Sequence, residues 1–386
     1  MLFVLYTGNN MPGALFGLLR AEYEFSPLTQ TLLYATAVVV IIPALVVFGP
    51  LSDALGRRAP LLLGLAAFAV GDLLFATASG LGELFAARAF QGLGMGAATA
   101  AAQAGLGDTA GWRSGTPASQ QRLAARVATA CVTFGLAAGP LLGGLLAQWA
   151  PAPVSLPFVV HLVLVAVVAG LVLLAPPGWR VATPGPGGWR PARLGVPRAL
   201  RKAFAAVGSS SFLAWAVLGM FSATLPTTVG LLLGGATVAV TAGALALMIT
   251  ISGVVQLGAH RFAPRAAQVT GLLALAAGLG LLVVVEAVLP QMSLLALAMV
   301  VTGAGHGLVY AGGVAELTAV TPAEHRGAVI ATYFATSYVG LGGPVVVVGL
   351  AAVPHGLLAS ATAASAVVAV LCLLLVPFLL PVRGRT

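Results

Sequence analysis

The sequence predicts an all-α membrane protein with twelve transmembrane helices in two pseudo-symmetric six-helix halves. Three observations carry that expectation. Of 386 residues, 60% are hydrophobic and only 7% charged, and the mean hydropathy is +1.05, so there are too few charges to clothe a water-soluble globule of this length. A bilayer core about 30 Å thick takes roughly 20 apolar residues per helical crossing, and the chain divides into twelve such segments between charged or Pro/Gly-rich breaks. Positions also recur at a fixed distance: Gly49 and Gly253, Arg57 and Arg261, Ala59-Pro60 and Ala263-Pro264, Arg122 and Arg326, and Gly139-Pro140 and Gly343-Pro344 each lie 204 apart. Paired Arg and Pro matches in one register are the mark of an internal repeat.

The first segment, 2 to 19, lacks a basic n-region followed by a small-residue cleavage site and reads as a retained helix. The second, 28 to 50, runs into the charged turn GPLSDALGRR. The third, 60 to 79, and the fourth, 82 to 105, each hold one charge well inside their ends, Asp72 and Arg88, with Glu83 at the very start of the fourth. Glycines every four residues mark the fifth, 123 to 149, and the sixth, 155 to 175, is almost purely apolar. The longest break follows, Pro176 to Ala203, with six prolines, six basic residues and no acid. Its end, Arg198 to Phe204, suits a basic amphipathic turn on lipid headgroups. Six further segments are expected at 207 to 232, 236 to 259, 267 to 289, 291 to 316, 327 to 351 and 356 to 381. The expected organisation is therefore a half at 1–175, a Pro/Arg-rich linker at 176–206 and a half at 207–386. At the 204 register Asp53 faces Leu257 and Arg88 faces Met292, so the copies differ where charge matters.

The net charge of +9 does not mark a nucleic-acid binder. With both termini placed inside, every basic residue except Arg20 and Arg88 falls in the cytoplasmic loops, linker and tail, the asymmetry that orients a membrane chain. Cys131 and Cys372 lie within apolar segments, which excludes a disulfide framework or a CxxC metal or redox site and suits packing. None of the five histidines has metal-ligand spacing, and no cofactor motif or Walker A loop occurs.

The turn itself concentrates charge where the chain has little. Asp53 falls at the C-terminal end of the second helix, where the helix dipole disfavours an acid, so it calls for a positive partner from elsewhere. Gly49, one turn earlier, suits a close helix approach, and Gly56 suits a tight turn. Gly49, Asp53, Gly56, Arg57 and Arg58 together resemble the G-x-x-x-D-R/K-x-G-R-R/K loop of the major facilitator superfamily, specifically its twelve-helix drug:proton antiporters, with Ala54 in place of the usual basic residue. RAFQG, Arg88 to Gly92, is similar to the same family's R-x-x-Q-G. GLAAGPLLGG, Gly135 to Gly144, is similar to its antiporter motif G-x-x-x-G-P-x-x-G-G. The resemblance covers essentially the whole chain and implies a transporter rather than an enzyme.

Expected roles follow, from the resemblance for the motifs and from residue placement for the other polar residues. Gating falls to the Gly49–Arg58 turn, with Asp53 capping a helix start near Gly327 and Ala328 and Arg57 reaching Asp108. In the fourth helix Arg88, Gln91, Met95 and Thr99 share a face expected to line a cavity, while Gly92 and Gly96 suit helix packing. Gly135, Gly139, Gly143 and Gly144, with the bend at Pro140, suit a tight seam between the halves. Asn9, Asn10, Gln91, Met95, Thr224, His306, Tyr310 and Tyr333 are substrate-cavity candidates, and Gln103 and Gln256 are weaker ones. Asp72 and Arg88 fall at matching depths, about 10 Å from the outer ends of their helices. Each is costly alone in a membrane, so they are expected to communicate directly or through water. Asp72 is the first candidate proton carrier, with His306 and Glu316 next.

The expected function is proton-coupled export of small, largely apolar molecules by alternating access. The alternative on the same fold is import of a nutrient or sugar by symport. A membrane enzyme or receptor is disfavoured by the short loops and the lack of a catalytic dyad. The expected setting is the cell's inner (plasma) membrane, as a monomer, with small-molecule substrate, proton and lipid as partners and no nucleic acid.

Overall fold

The computed structural model describes residues 1–110, 116–174, 194–234 and 237–380; the described side chains exclude those of 53–55, 108–110, 117, 118, 121 and 323. Among the described residues are twelve α-helices and no strand. They are α1 (Leu2–Glu22), α2 (Pro27–Leu55), α3 (Arg58–Ala76), α4 (Leu81–Ala110), α5 (Pro117–Trp149), α6 (Leu156–Leu174), α7 (Arg201–Leu232), α8 (Val238–Gly258), α9 (Pro264–Ala287), α10 (Met292–Val320), α11 (Ala323–His355) and α12 (Leu357–Leu379). Ten of these are long and apolar enough to cross a membrane, α1 and α4 being the two whose polar residues bring them below that level.

Several helices outrun the apolar segments that announce them, whereas α6, α8 and α12 fall a residue or two inside theirs. α2 continues through the charged turn to Leu55, α7 begins at Arg201 rather than 207, and α11 runs from Ala323 to His355. Hydropathy sees only the part that lipid or protein covers, whereas the backbone stays helical until a residue stops it. The stops and starts are local. Gly56 ends α2 at φ +82 and Gly356 separates α11 from α12 at φ +80, a conformation a Cβ disfavours. Ser26 accepts the Thr29 amide at 3.1 Å ahead of Pro27. Thr116 does the same for Ser119 ahead of Pro117.

The chain forms two compact units, Met1–Ala192 with Thr237–Ala246, and Arg193–Ala236 with Leu247–Thr386. Residues 175–193, most of the expected linker, lie outside the described residues. The start of α8 belongs with the first unit, where Gly144 of α5 packs on Val238 and Ala242. Within the first unit α1 packs on α5, α3 on α4 and α6, and α2 on α4. Within the second, α7 packs on α11, α9 on α10 and α12, and α8 on α10.

Glycines at these contacts repeat, but not at 204. Gly64 and Gly71 of α3 meet α4 as Gly271 and Gly278 of α9 meet α10, 207 residues on. Gly92 and Gly96 of α4 meet the carbonyls of Ala37 and Ile41; Gly303 and Gly307 of α10 meet those of Met248 and Ser252, all 211 residues on. Helices of unequal length shift the register: α9 runs nine residues past Gly278 where α3 runs five past Gly71, while the connections at 77–80 and 288–291 are both four residues long. The counterpart of Arg88 is therefore Met299, not Met292. Gly343, paired with Gly139 at 204, has open space where a Cβ would stand, and it is Gly340 that meets α7, at Phe212.

Candidate functional site

Each unit holds a polar cluster in mid-bundle. In the first, four side chains from three helices form one chain of hydrogen bonds. Arg88 of α4 donates through Nη1 to Gln91 Oε1 at 2.8 Å, and Gln91 donates through Nε2 to Asp72 Oδ1 of α3 at 3.3 Å. The other carboxylate oxygen, Asp72 Oδ2, lies 2.6 Å from His161 Nδ1 of α6. All four side chains are buried, Asp72, Gln91 and His161 completely. The remaining donors go to backbone: Arg88 to the carbonyls of Leu33 at 3.2 Å and Asn9 at 3.1 Å, and His161 Nε2 to that of Val4 at 2.9 Å. The guanidinium carbon also lies 5.7 Å from the Tyr34 ring centroid. Each nitrogen of this network has at least one acceptor, Arg88 Nη2 reaching Tyr34 O at 3.5 Å, which is what a membrane interior demands of a buried charge.

Two glycines let the partners converge. A Cβ on Gly71, beside Asp72, would meet Gln91 Cγ at 2.9 Å. A Cβ on Gly8 of α1 would fall on the imidazole of His161. Aromatic pairs between α3 and α6 fix the same level: Phe68 with His161 at 5.9 Å and Phe75 stacked on Phe158 at 4.3 Å.

Thus Asp72 and Arg88 are not in direct contact as expected; the Gln91 side chain stands between them and bonds to both. His161 was missed by sequence reasoning, although it is the one ionisable residue in the 19 of α6. Histidine spacing was inspected for metal ligands, and a carboxylate partner on another helix leaves no trace in spacing.

Other expectations are corrected. Gln91 and Met95 are closed inside the first unit rather than lining an open face. Asn10 is buried and fastens α1 to α5 by donating to Leu136 O at 2.9 Å, while Thr224 spends its hydroxyl on Met220 O of its own helix. Asn9 lends its carbonyl to Arg88. The glycine stripe Gly135, Gly139 and Gly143 abuts Phe3, Thr7 and Met11 of α1, so it is a contact inside one unit. Gly49 would have room for a Cβ, the nearest atom being Ala100 Cβ at 3.8 Å, so no close approach requires it. In the turn expected to gate, Arg57 donates to Ser52 Oγ at 3.1 Å, and Arg58 caps α6 by donating to Leu173 O at 2.6 Å. The side chains of Asp53 and Asp108 lie outside those described. Glu316 is held by Arg265 at 2.7 Å and Gln268 at 2.5 Å.

The second unit gathers rings. Trp215 of α7 lies 6.1 Å from His306 and 5.5 Å from Tyr310, both of α10, and 5.9 Å from Tyr338 of α11. Tyr333, fully buried, continues the stack at 6.2 Å from Tyr310 and donates to its carbonyl at 3.3 Å. Trp215 and Tyr338, which sequence reasoning passed over, carry no motif. An apolar groove of about 500 Å³ between α7, α11 and α12, walled by Phe204, Phe212, Leu374 and Phe378, shares no residue with either cluster. Among the described residues no group of His, Cys, Asp and Glu could hold a metal.

Residues 1–267 match the family model described as Major Facilitator Superfamily. The chain belongs to that superfamily. It is thereby a multi-pass membrane protein from a family of transporters, not enzymes. It is 35% identical over 179 residues to the multidrug efflux pump LfrA of Mycolicibacterium smegmatis, an alignment covering 44% of this chain and 33% of that protein. It is likewise 35% identical over 126 residues to the probable vesicular acetylcholine transporter-B of Danio rerio, covering 33% of this chain and 24% of that one. The alignments thus span a third or less of these curated relatives. In fold, it superposes on a bacterial homologue of the human lysosomal transporter Spinster with a TM-score of 0.76 at 14% identity, over 98% of this chain and 94% of the other.

Proposed function

We propose that this superfamily member exports small, largely apolar molecules in exchange for protons by alternating access. All twelve helices would cross the membrane, as a six-plus-six repeat with both termini in the cytoplasm of the inner membrane. The repeated helix pairings support the repeat, and the similarity to LfrA over part of the chain supports efflux.

The observation that carries the coupling is the Asp72–His161 pair. His161 Nε2 faces a carbonyl, which only accepts, so that nitrogen holds a hydrogen; the 2.6 Å contact at Nδ1 then encloses one more proton between ring and carboxylate. When that proton leaves, the carboxylate charge is still balanced by Arg88 through the Gln91 amide, so no isolated charge is left in the membrane. The bare Nδ1 lone pair and the carboxylate then repel at 2.6 Å. The ring must shift against Val4 and Gly8, which passes the change to α1, whose Asn9 carbonyl Arg88 also holds.

The test is proton movement across vesicles on substrate addition. Asp72→Asn and His161→Gln should each bind substrate yet move no proton. Unchanged exchange in both would remove the pair from the mechanism.

A further inference from the structure

The ring cluster of the second unit names a substrate class, an inference that rests on the export reading above. Trp215, His306 and Tyr338 each lie near the middle of their helices, α7, α10 and α11. Trp215, Tyr310 and Tyr338 are half-buried and offer ring surface, while His306 is 4% exposed beneath them. Two ring nitrogens, Trp215 Nε1 and His306 Nε2, are buried without a hydrogen-bond partner.

Their character follows from their neighbours. Gln256 Nε2 donates to Ser252 Oγ at 3.1 Å, and the Ser252 hydroxyl, with its own hydrogen to place, lies 2.7 Å from His306 Nδ1. That bond makes Nδ1 the acceptor and leaves the ring hydrogen on Nε2. Indole nitrogen is a donor only. The cluster therefore presents two unmet N–H groups midway along their helices, where burial without an acceptor is unfavourable. Every acid of this unit stands elsewhere: Glu286 with Thr362, Glu316 with Arg265, and Glu324 at the start of α11. Nothing in the cluster selects a cation by ion pairing.

We infer that Trp215 and His306 recognise a flat aromatic molecule bearing a hydrogen-bond acceptor, such as a ring carbonyl, which stacks on Trp215, Tyr310 and Tyr338 and fills the two donors. The experiment uses the purified full chain in lipid nanodiscs, with no gradient, and two probes of one shape: 9-fluorenone, which has the carbonyl, and fluorene, which lacks it. Fluorenone should bind about a hundredfold tighter, roughly tenfold for each of the two buried donors filled, and its carbonyl stretch should move to lower wavenumber on binding. Trp215→Phe and His306→Phe keep the rings and remove one donor each, so each should reduce the preference, and the double variant should bind both probes equally. Equal affinity in the wild type, or an unshifted carbonyl stretch, overturns the inference without any variant having to fold. A preference unchanged in the double variant overturns it too. Fluorenone preference with no accompanying proton exchange upholds the substrate class and overturns the coupling. Proton exchange with other compounds but no fluorenone preference overturns the substrate class alone.

Discussion

His161 shows how much one residue's meaning depends on what it touches. In sequence it is a lone polar residue in an apolar helix; in the fold it closes a four-residue chain running to Arg88. Its seat exists because position 8 has no side chain. Gly8→Ala would put a methyl group on the imidazole, and overpacking of this kind costs about 1–3 kcal/mol. The expected result is a thermal unfolding midpoint lowered by several degrees in detergent, together with weakened proton exchange. Gly143→Ala, whose nearest contacts include the flexible Met11 side chain, should be milder. A midpoint unmoved by Gly8→Ala would mean that the ring does not lie there. Asp72 and Arg88 were legible as costly charges at one depth. Gln91, whose amide joins them, looked like a cavity residue because a helical face says which side chains align but not what lies opposite.

At the scale of helices, the glycines separate into those that make contacts and those that do not, although they look alike in sequence. Gly139 of α5 sits on the backbone of Thr7 and Met11, whereas Gly343, in the same Gly-Pro context, faces open space. Gly139→Leu should therefore force α1 and α5 apart and cut both folded yield and transport, while Gly343→Leu should leave yield within twofold of wild type. Fluorescence size-exclusion profiles of the two variants make the comparison, and equal losses would mean that α5 and α11 are not distinguished by these contacts. At Gly56 the backbone is the constraint: with φ +82, Gly56→Ala is expected to cost about 1 kcal/mol, readable as a small loss of thermal stability. Helix boundaries were legible only as far as hydropathy reaches. The caps at Ser26 and Thr116 and the prolines beside them mark the true starts, and those signals stand in the sequence outside the apolar windows.

Across the whole molecule, charge placement predicts orientation. The α5–α6 connection around Ala152 carries no basic residue, whereas the segment leading to α7 has Arg198, Arg201 and Lys202, so the first is expected outside and the second in the cytoplasm. In a background lacking Cys131 and Cys372, a cysteine at Ala152 should react with a membrane-impermeant maleimide added to intact cells. One at Gly195 should react only after lysis. Reaction of both in intact cells would overturn the assignment.

The sequence by itself determined the class of the molecule, because membrane insertion depends on composition summed over windows of about twenty residues, and such sums need no knowledge of partners. It likewise determined the family, through short motifs whose spacing survives in one dimension. It could not determine the register at which the glycine contacts recur, 207 residues from α3 to α9 and 211 from α4 to α10 because α9 is the longer helix, nor which polar residues meet. Those were decided by tertiary packing. Asp72, Gln91 and His161 are 19 and 89 positions apart along the chain, and Trp215, His306 and Tyr338 are spread over three helices. Only the close approach of helices at glycines such as Gly8 and Gly71 brings Asp72, Gln91 and His161 within hydrogen-bonding distance, and contact at that range is what gives a costly buried charge its partners.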